Sequence, residues 1–298
     1  MKLLVAGGTG FIGTPLCYTL VAHGHEVRLL SRRPQPASSG IRVLSWEDLG
    51  RGQGLTGVEG VVNLAGEPIV GRRWSPAQKA RVTASRVETT RRLVAALVPL
   101  SPRPSVLVNA SAVGYYGARE DEPLTETDAP GRGFLAELCQ AWETEARAAE
   151  SIGIRTVRLR LGVVLGPGGG ALAKMVPPFR MFVGGPLGDG RQILSWVHLD
   201  DVIGLIEWAL ESALVSGAVN ATAPEPVTMR EFSRELGRVL HRPSWAPVPA
   251  GVLRLLMGEM AEMLLTGQRV LPRVALSAGY RFRHPDLSGA LRASLLSS

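Results

Sequence analysis

An apolar run from Lys2 to Ala6 breaks directly into Gly7-Gly8-Thr9-Gly10-Phe11-Ile12-Gly13, and apolar residues then return at helical spacing through Leu16 and Leu20. No other feature restricts the fold so tightly. A buried strand that ends in a glycine turn and feeds a helix is the opening unit of a dinucleotide-binding α/β fold. In that setting Gly7 permits the tight turn, Gly10 lets backbone N–H groups approach a pyrophosphate, and Gly13 lets the helix pack on the strand. The helix N-terminus adds positive potential at the same place. Taken alone, three glycines at this spacing mark only a glycine-rich turn.

The rhythm continues with Val/Ile/Leu runs near 26–31, 41–45, 58–64, 105–111 and 154–161, separated by amphipathic stretches near 11–23, 75–98 and 134–151. Strands alternating with helices of this length predict an α/β fold, a doubly wound parallel sheet of Rossmann type. Ser75, Pro76 and Gln78 supply an N-cap, a first-turn proline and a capping-box partner. Gly166-Pro167-Gly168-Gly169-Gly170 ends the rhythm, and an irregular segment is expected to about 190. A helix near 200–213 and a strand at 218–221 return to the first fold, and Thr228-Met229-Arg230-Glu231 opens another helix with a capping box. The predicted division is a dinucleotide-binding domain, 1–165 with 192–225, and a smaller, mainly helical C-terminal substrate lobe, 166–191 with 226–298.

The end of the second strand selects the cofactor. A binder of NAD usually places a carboxylate there for the ribose 2'-hydroxyl, whereas this chain has Ser31-Arg32-Arg33. A hydroxyl and a forked, permanently charged donor suit a 2'-phosphate, so NADP is favoured; the alternative is a solvated basic turn before Pro34. Asn63-Leu64-Ala65-Gly66-Glu67 puts a small-residue turn where the chain would pass under the ribose and nicotinamide. Arg81 and Ser85 lie four apart on the next helix, with Arg86 beside them.

Composition narrows the partners. The net charge, 33 minus 26 or +7, raises the question of an acidic partner. Yet Lys2, Lys79 and Lys174 are the only lysines, the arginines are scattered, and no basic run interleaved with aromatics marks a nucleic-acid face. No stretch approaches the roughly 18 to 20 apolar residues of a bilayer span, and the chain runs straight into its first strand, so neither leader, anchor nor membrane partner is expected. Cys17 and Cys139 fall in helices without ligand spacing, consistent with inert thiols in a reducing, cytoplasmic compartment. His23 and His25 flank a helix end, His241 and His284 stand alone, and no metal constellation emerges.

Together the motifs resemble the extended short-chain dehydrogenase/reductase superfamily, in its epimerase-like branch with a distinct C-terminal domain. Besides the opening loop, the resemblance rests on Ser31-Arg32, Asn63-Leu64-Ala65-Gly66-Glu67, Ser85-Arg86, Ser111-Ala112-Val113-Gly114-Tyr115-Tyr116-Gly117, Gly162-Val163-Val164-Leu165-Gly166 and Trp196-Val197-His198-Leu199-Asp200-Asp201. It implies cofactor contacts from Thr9, Gly10, Phe11 and Ile12 at the pyrophosphate, Ser31 and Arg32 at the 2'-phosphate, and Leu64 and Ala65 at the ribose. Arg81 and Arg86 would reach in from the long helix, and Val163 would close on the nicotinamide.

The superfamily's proton transfer normally uses a Tyr-x-x-x-Lys pair, whose lysine lowers the phenol's pKa. The tyrosines at 18, 115, 116 and 280 are followed four residues later by Ala22, Arg119, Glu120 and His284, so the pair is absent. Leu138-Cys139-Gln140-Ala141-Trp142 takes its place. Ser111 matches the orienting serine, and Tyr116, or second Tyr115, is the candidate proton donor. His198 with Asp200 or Asp201 could form an acid-base pair, although the acids are better read as helix caps. Trp74, Trp142 and Trp196 suit either a substrate pocket or the core. The expectation is an NADP-dependent oxidoreductase or epimerase acting on a small carbonyl or secondary alcohol, as a monomer or homodimer; the alternative is an idle NADPH-binding sensor.

Overall fold

Leu3 and Val5 join one hydrophobic cluster, Leu4 and Ala6 another, and all four are fully buried. Side chains alternate across a strand, so this strand is covered on both faces. The computed structural model, which describes residues 1–32, 40–119 and 121–296, supplies the covering.

The chain runs β1 (Lys2–Ala6), α1 (Gly13–Ala22), β2 (Glu26–Ser31), β3 (Ile41–Ser45), α2 (Trp46–Gly50), β4 (Gly60–Asn63), α3 (Pro76–Leu97), β5 (Val106–Ala112), β6 (Pro123–Leu124), α4 (Phe134–Arg147), β7 (Arg155–Leu161), β8 (Val163–Leu165) and α5 (Leu172–Arg180). It continues through β9 (Ile193–Leu194), β10 (Trp196–His198), α6 (Leu199–Glu211), β11 (Gly217–Ala221), β12 (Val227–Thr228), α7 (Met229–Leu240), α8 (Ala250–Met257), α9 (Glu262–Leu265), β13 (Arg269–Val270), α10 (Arg273–Ser277) and α11 (Leu287–Leu296).

Seven strands form one sheet in the order β11-β7-β5-β4-β1-β2-β3, every pair parallel. The order reverses direction at β1, which pairs with β2 on one side and β4 on the other. In open α/β sheets ligands lie at the strands' carboxyl ends beside such a switch point, and here those ends lead into Gly7 and Leu64. Leu16 and Leu20 of α1 and Leu205 and Ile206 of α6 cover one face; Leu93, Val94 and Leu97 of α3 cover the other. A third cluster joins α5, α7 and α11 through Val176, Phe179, Phe232, Leu236 and Leu291. Among the described residues no helix is long and apolar enough to cross a membrane.

Several boundaries differ from the sequence reading. Helix α1 begins at Gly13 rather than 11, because the turn uses the residues before it, and α4 stops at Arg147. The segment expected to be irregular contains α5 despite Pro177 and Pro178. Proline removes helix N–H groups, but Leu172, Val176 and Phe179 recur on one face and seat the helix in the third cluster. Ser75 caps α3 by accepting from the Gln78 N–H at 3.2 Å, yet the Gln78 side chain turns to Glu67 instead of completing a capping box. The Thr228 and Glu231 box is reciprocal, as the spacing predicts.

Candidate functional site

Gly7 stands at φ +81°, and a Cβ there would lie 2.6 Å from the Leu64 carbonyl carbon. The glycine turn and the turn after β4 therefore meet backbone to backbone. At Gly13 a Cβ would lie 2.2 Å from the Gly7 carbonyl oxygen, which enforces the close approach of α1 to β1. Gly10 donates to that same carbonyl at 3.1 Å, and Thr9 and Gly10 form an exposed crest. No side chain caps α1 and no acid lies in its first turn. A backbone cradle with an uncapped helix start suits a diphosphate, so the residues present fit a dinucleotide. The Phe11 ring packs on Gly169 and Gly170, where added Cβ atoms would collide with it, and against Gly166; the glycine run read as a lobe boundary also seats this ring. Ile12 is half-buried.

Ser31 is buried at the end of β2, and Arg32 follows it, exposed. Arg33 lies outside the described residues. After β4, Leu64 donates its N–H to Ala6 O at 2.8 Å, and Ala65 donates to Asn63 Oδ1 at 3.2 Å. Arg86 is buried: it donates to Glu67 O at 2.9 Å, and its Nε has no partner. Gly66 makes room for it, since a Cβ would stand 2.9 Å from the guanidinium carbon. Burial lowers the Arg86 pKa from its ordinary value. Arg81 is half-exposed and bonds Gln78. Val163 of β8 is half-buried and donates to Ser195 O at 2.8 Å.

Strands β5 and β7 and helix α4 share a polar network that the sequence does not foretell. Ser111 donates to Glu143 Oε1 at 2.8 Å, and Arg160 grips the same carboxylate through Nε at 2.8 Å and Nη2 at 3.0 Å. Arg160 Nη1 donates to the Tyr116 hydroxyl at 2.8 Å, which also lies 2.8 Å from Asn220 Oδ1 and 2.9 Å from Thr125 O. The Arg160 guanidinium stacks 3.5 Å from the Tyr115 ring centre. Tyr116 is fully buried, and burial pushes its phenol up to about 12. The site expectation needs revision here, because this hydroxyl is enclosed and occupied on every side. Two signals were available: Thr156, Arg158 and Arg160 alternate on one side of a strand, and Glu143 falls on the apolar stripe of α4 with Cys139 and Ala146.

Leu138 is buried, and Trp142 donates to Thr90 Oγ1 at 3.0 Å beneath the Arg86 guanidinium. Trp196 is in the core; Trp74 is half-buried, edge-on to Phe134. The acids after β10 are not caps. His198 itself caps α6, accepting from the Asp200 N–H at 3.1 Å, while Asp201 takes the N–H groups of Arg283 and His284. Nor does His284 stand alone: its ring centre lies 3.9 Å from that of His198.

The doubly wound sheet, its switch point and the uncapped glycine turn define a Rossmann-type dinucleotide-binding protein. A model of the NAD dependent epimerase/dehydratase family matches residues 3–221, and a domain of unknown function, DUF1731, matches 248–294. The chain belongs to the NAD dependent epimerase/dehydratase family. It is 43% identical over 301 residues to the chloroplastic epimerase family protein SDR39U1 homolog of Arabidopsis thaliana, covering 98% of this chain and 86% of that one. It is 39% identical to the epimerase family protein YfhF of Bacillus subtilis, covering 98% and 97%. A crystal structure of the human epimerase family protein SDR39U1 with NADPH superposes with TM-score 0.93 at 39% identity over 100% of both chains. A nucleoside-diphosphate sugar epimerase from Corynebacterium glutamicum gives 0.80 at 30% identity, over 99% of this chain and 58% of that one.

Proposed function

We propose that the chain binds NADPH across the β1 and β4 turns and serves as an oxidoreductase or epimerase-like enzyme on a carbonyl or secondary alcohol. The observation that carries the reading is the Gly7 to Gly13 cradle at the switch point; human SDR39U1, similar along its whole length, was crystallised with NADPH. Arg32 would take the 2'-phosphate beside Ser31, the Thr9 to Ile12 backbone the diphosphate, and Leu64 to Glu67 the ribose side. Arg81 and Arg86 would reach in from α3, and Val163 would close on the nicotinamide end. Bound NADPH would supply hydride. Ser111, whose own proton goes to Glu143, would orient an alcohol by accepting its O–H through a lone pair, and would have to turn its proton from Glu143 to orient a carbonyl oxygen. In this reading 1–165 with 192–225 form the cofactor half and 166–191 with 226–298 the substrate half.

A second reading, an NADPH-binding module without turnover, is supported by the enclosure of Ser111 and Tyr116 and by Leu138 and Trp142 in place of the proton-transfer pair. Calorimetric titration with NADPH, followed by NADPH consumption across a carbonyl panel, separates the two. Binding with consumption supports the enzyme, binding without consumption supports the module, and absence of binding refutes both.

A further inference from the structure

His198 ends β10, and His284 lies in the segment between α10 and α11, 84 positions beyond Asp200. Asp201 brings them together. Its carboxylate accepts the Arg283 N–H at 2.6 Å and the His284 N–H at 3.0 Å, which holds the backbone of the second segment against the start of α6. The Tyr280 hydroxyl adds a contact to Asp201 O at 3.3 Å. As a result, His198 Nδ1 lies 3.4 Å and His284 Nε2 3.1 Å from the same oxygen, Asp200 Oδ2. The three ligand atoms all fall within 4.8 Å of one another.

A tetrahedral ion with bonds of about 2.0–2.1 Å separates its ligand atoms by about 3.3 Å, close to the two spacings found here. His198 is 2% exposed. The Asp200 and His284 side chains are 47% and 20% exposed, which opens the cluster to solvent from one side.

We infer that His198, Asp200 and His284 form a binding site for a borderline divalent cation of the zinc type, completed by water. Two imidazoles and one carboxylate are the donor set such ions accept. Coordination exchanges the Asp200 N–H bond to His198 Nδ1 for a metal bond and uses His284 as its Nδ1–H tautomer, while Asp201 acts as the outer-shell positioner. The ion would fasten the first turn of α6 to the 280–284 segment. The site stands apart from the NADPH reading and does not depend on it.

The test is calorimetric titration of tag-free, chelator-stripped protein with Zn2+, beside the partly exposed variants Asp200→Asn and His284→Ala. One equivalent bound with micromolar affinity, at least tenfold weaker binding in each variant, and a chelator-reversible rise in wild-type melting temperature are expected. Replacing Zn2+ by Co2+ should add a visible band characteristic of tetrahedral coordination. Circular dichroism of metal-free variants checks their folding, and NADPH affinity should be the same in His284→Ala as in wild type. No uptake by wild type, or equal uptake by folded variants, overturns the site.

Discussion

The Ser111 hydroxyl donates to Glu143 Oε1 at 2.8 Å, and both residues are 1% exposed. Ser111 is thus the end of a buried chain that runs through Glu143 and Arg160 to Tyr116. Charges so enclosed are tolerated only when paired.

Glu143→Gln should therefore destabilise the fold by about 3–5 kcal/mol, since it leaves the Arg160 guanidinium buried without a counter-charge. Urea unfolding measures this. A midpoint equal to wild type would show that the pair contributes nothing.

Gly13→Ala would place a Cβ 2.2 Å from Gly7 O and 2.5 Å from Gly8 Cα. Both obstacles are backbone and cannot swing aside, so a loss of about 1–3 kcal/mol in stability and a clear weakening of NADPH binding are expected. Thermal melts and NADPH titration check the two effects; a variant that melts and binds as wild type would contradict the geometry.

Arg32→Ala removes the exposed guanidinium after β2. NADPH affinity should fall by about 1.5–3 kcal/mol, on the order of 10- to 100-fold, with NADH affinity unchanged. Equal losses for both cofactors would place Arg32 away from the 2'-phosphate.

Tyr116 should ionise only near pH 12, against about 10 for a free phenol. The folded state then holds its proton where the unfolded chain has released it, so this contribution to stability is full below about pH 10 and is lost as pH rises towards 12. Ultraviolet titration of wild type against Tyr116→Phe reads the group directly. A difference already half developed at pH 10 would mean the hydroxyl is open to water.

Thr228→Ala removes the side chain that accepts the Glu231 N–H at 3.1 Å. A cost of about 1 kcal/mol is expected from denaturant melts, and no change would show the cap to be redundant.

The order of elements through the first half was legible because its signals are local. Leu3 to Ala6 is apolar without interruption, the glycines follow at once, and Ser75 marks a helix start within four residues, as Thr228 does later in the chain. After the glycine run at 166–170 the local signal points to irregular chain, and Pro177 and Pro178 add nothing in favour of a helix; the apolar seat of Val176 and Phe179 is what forms α5.

For the site the division is physical. Strand periodicity, turn glycines and the basic end of the second strand are properties of neighbouring residues, so the chain alone determined a dinucleotide fold and pointed to the phosphorylated cofactor. Whether a phenol can give up its proton, or an imidazole has company, depends on solvent access and on groups far along the chain. Packing α4 against β5 and β7 enclosed Tyr116 with Arg160, and folding 280–284 onto α6 set His284 beside His198. Those encounters exist only once the sheet has brought distant segments together.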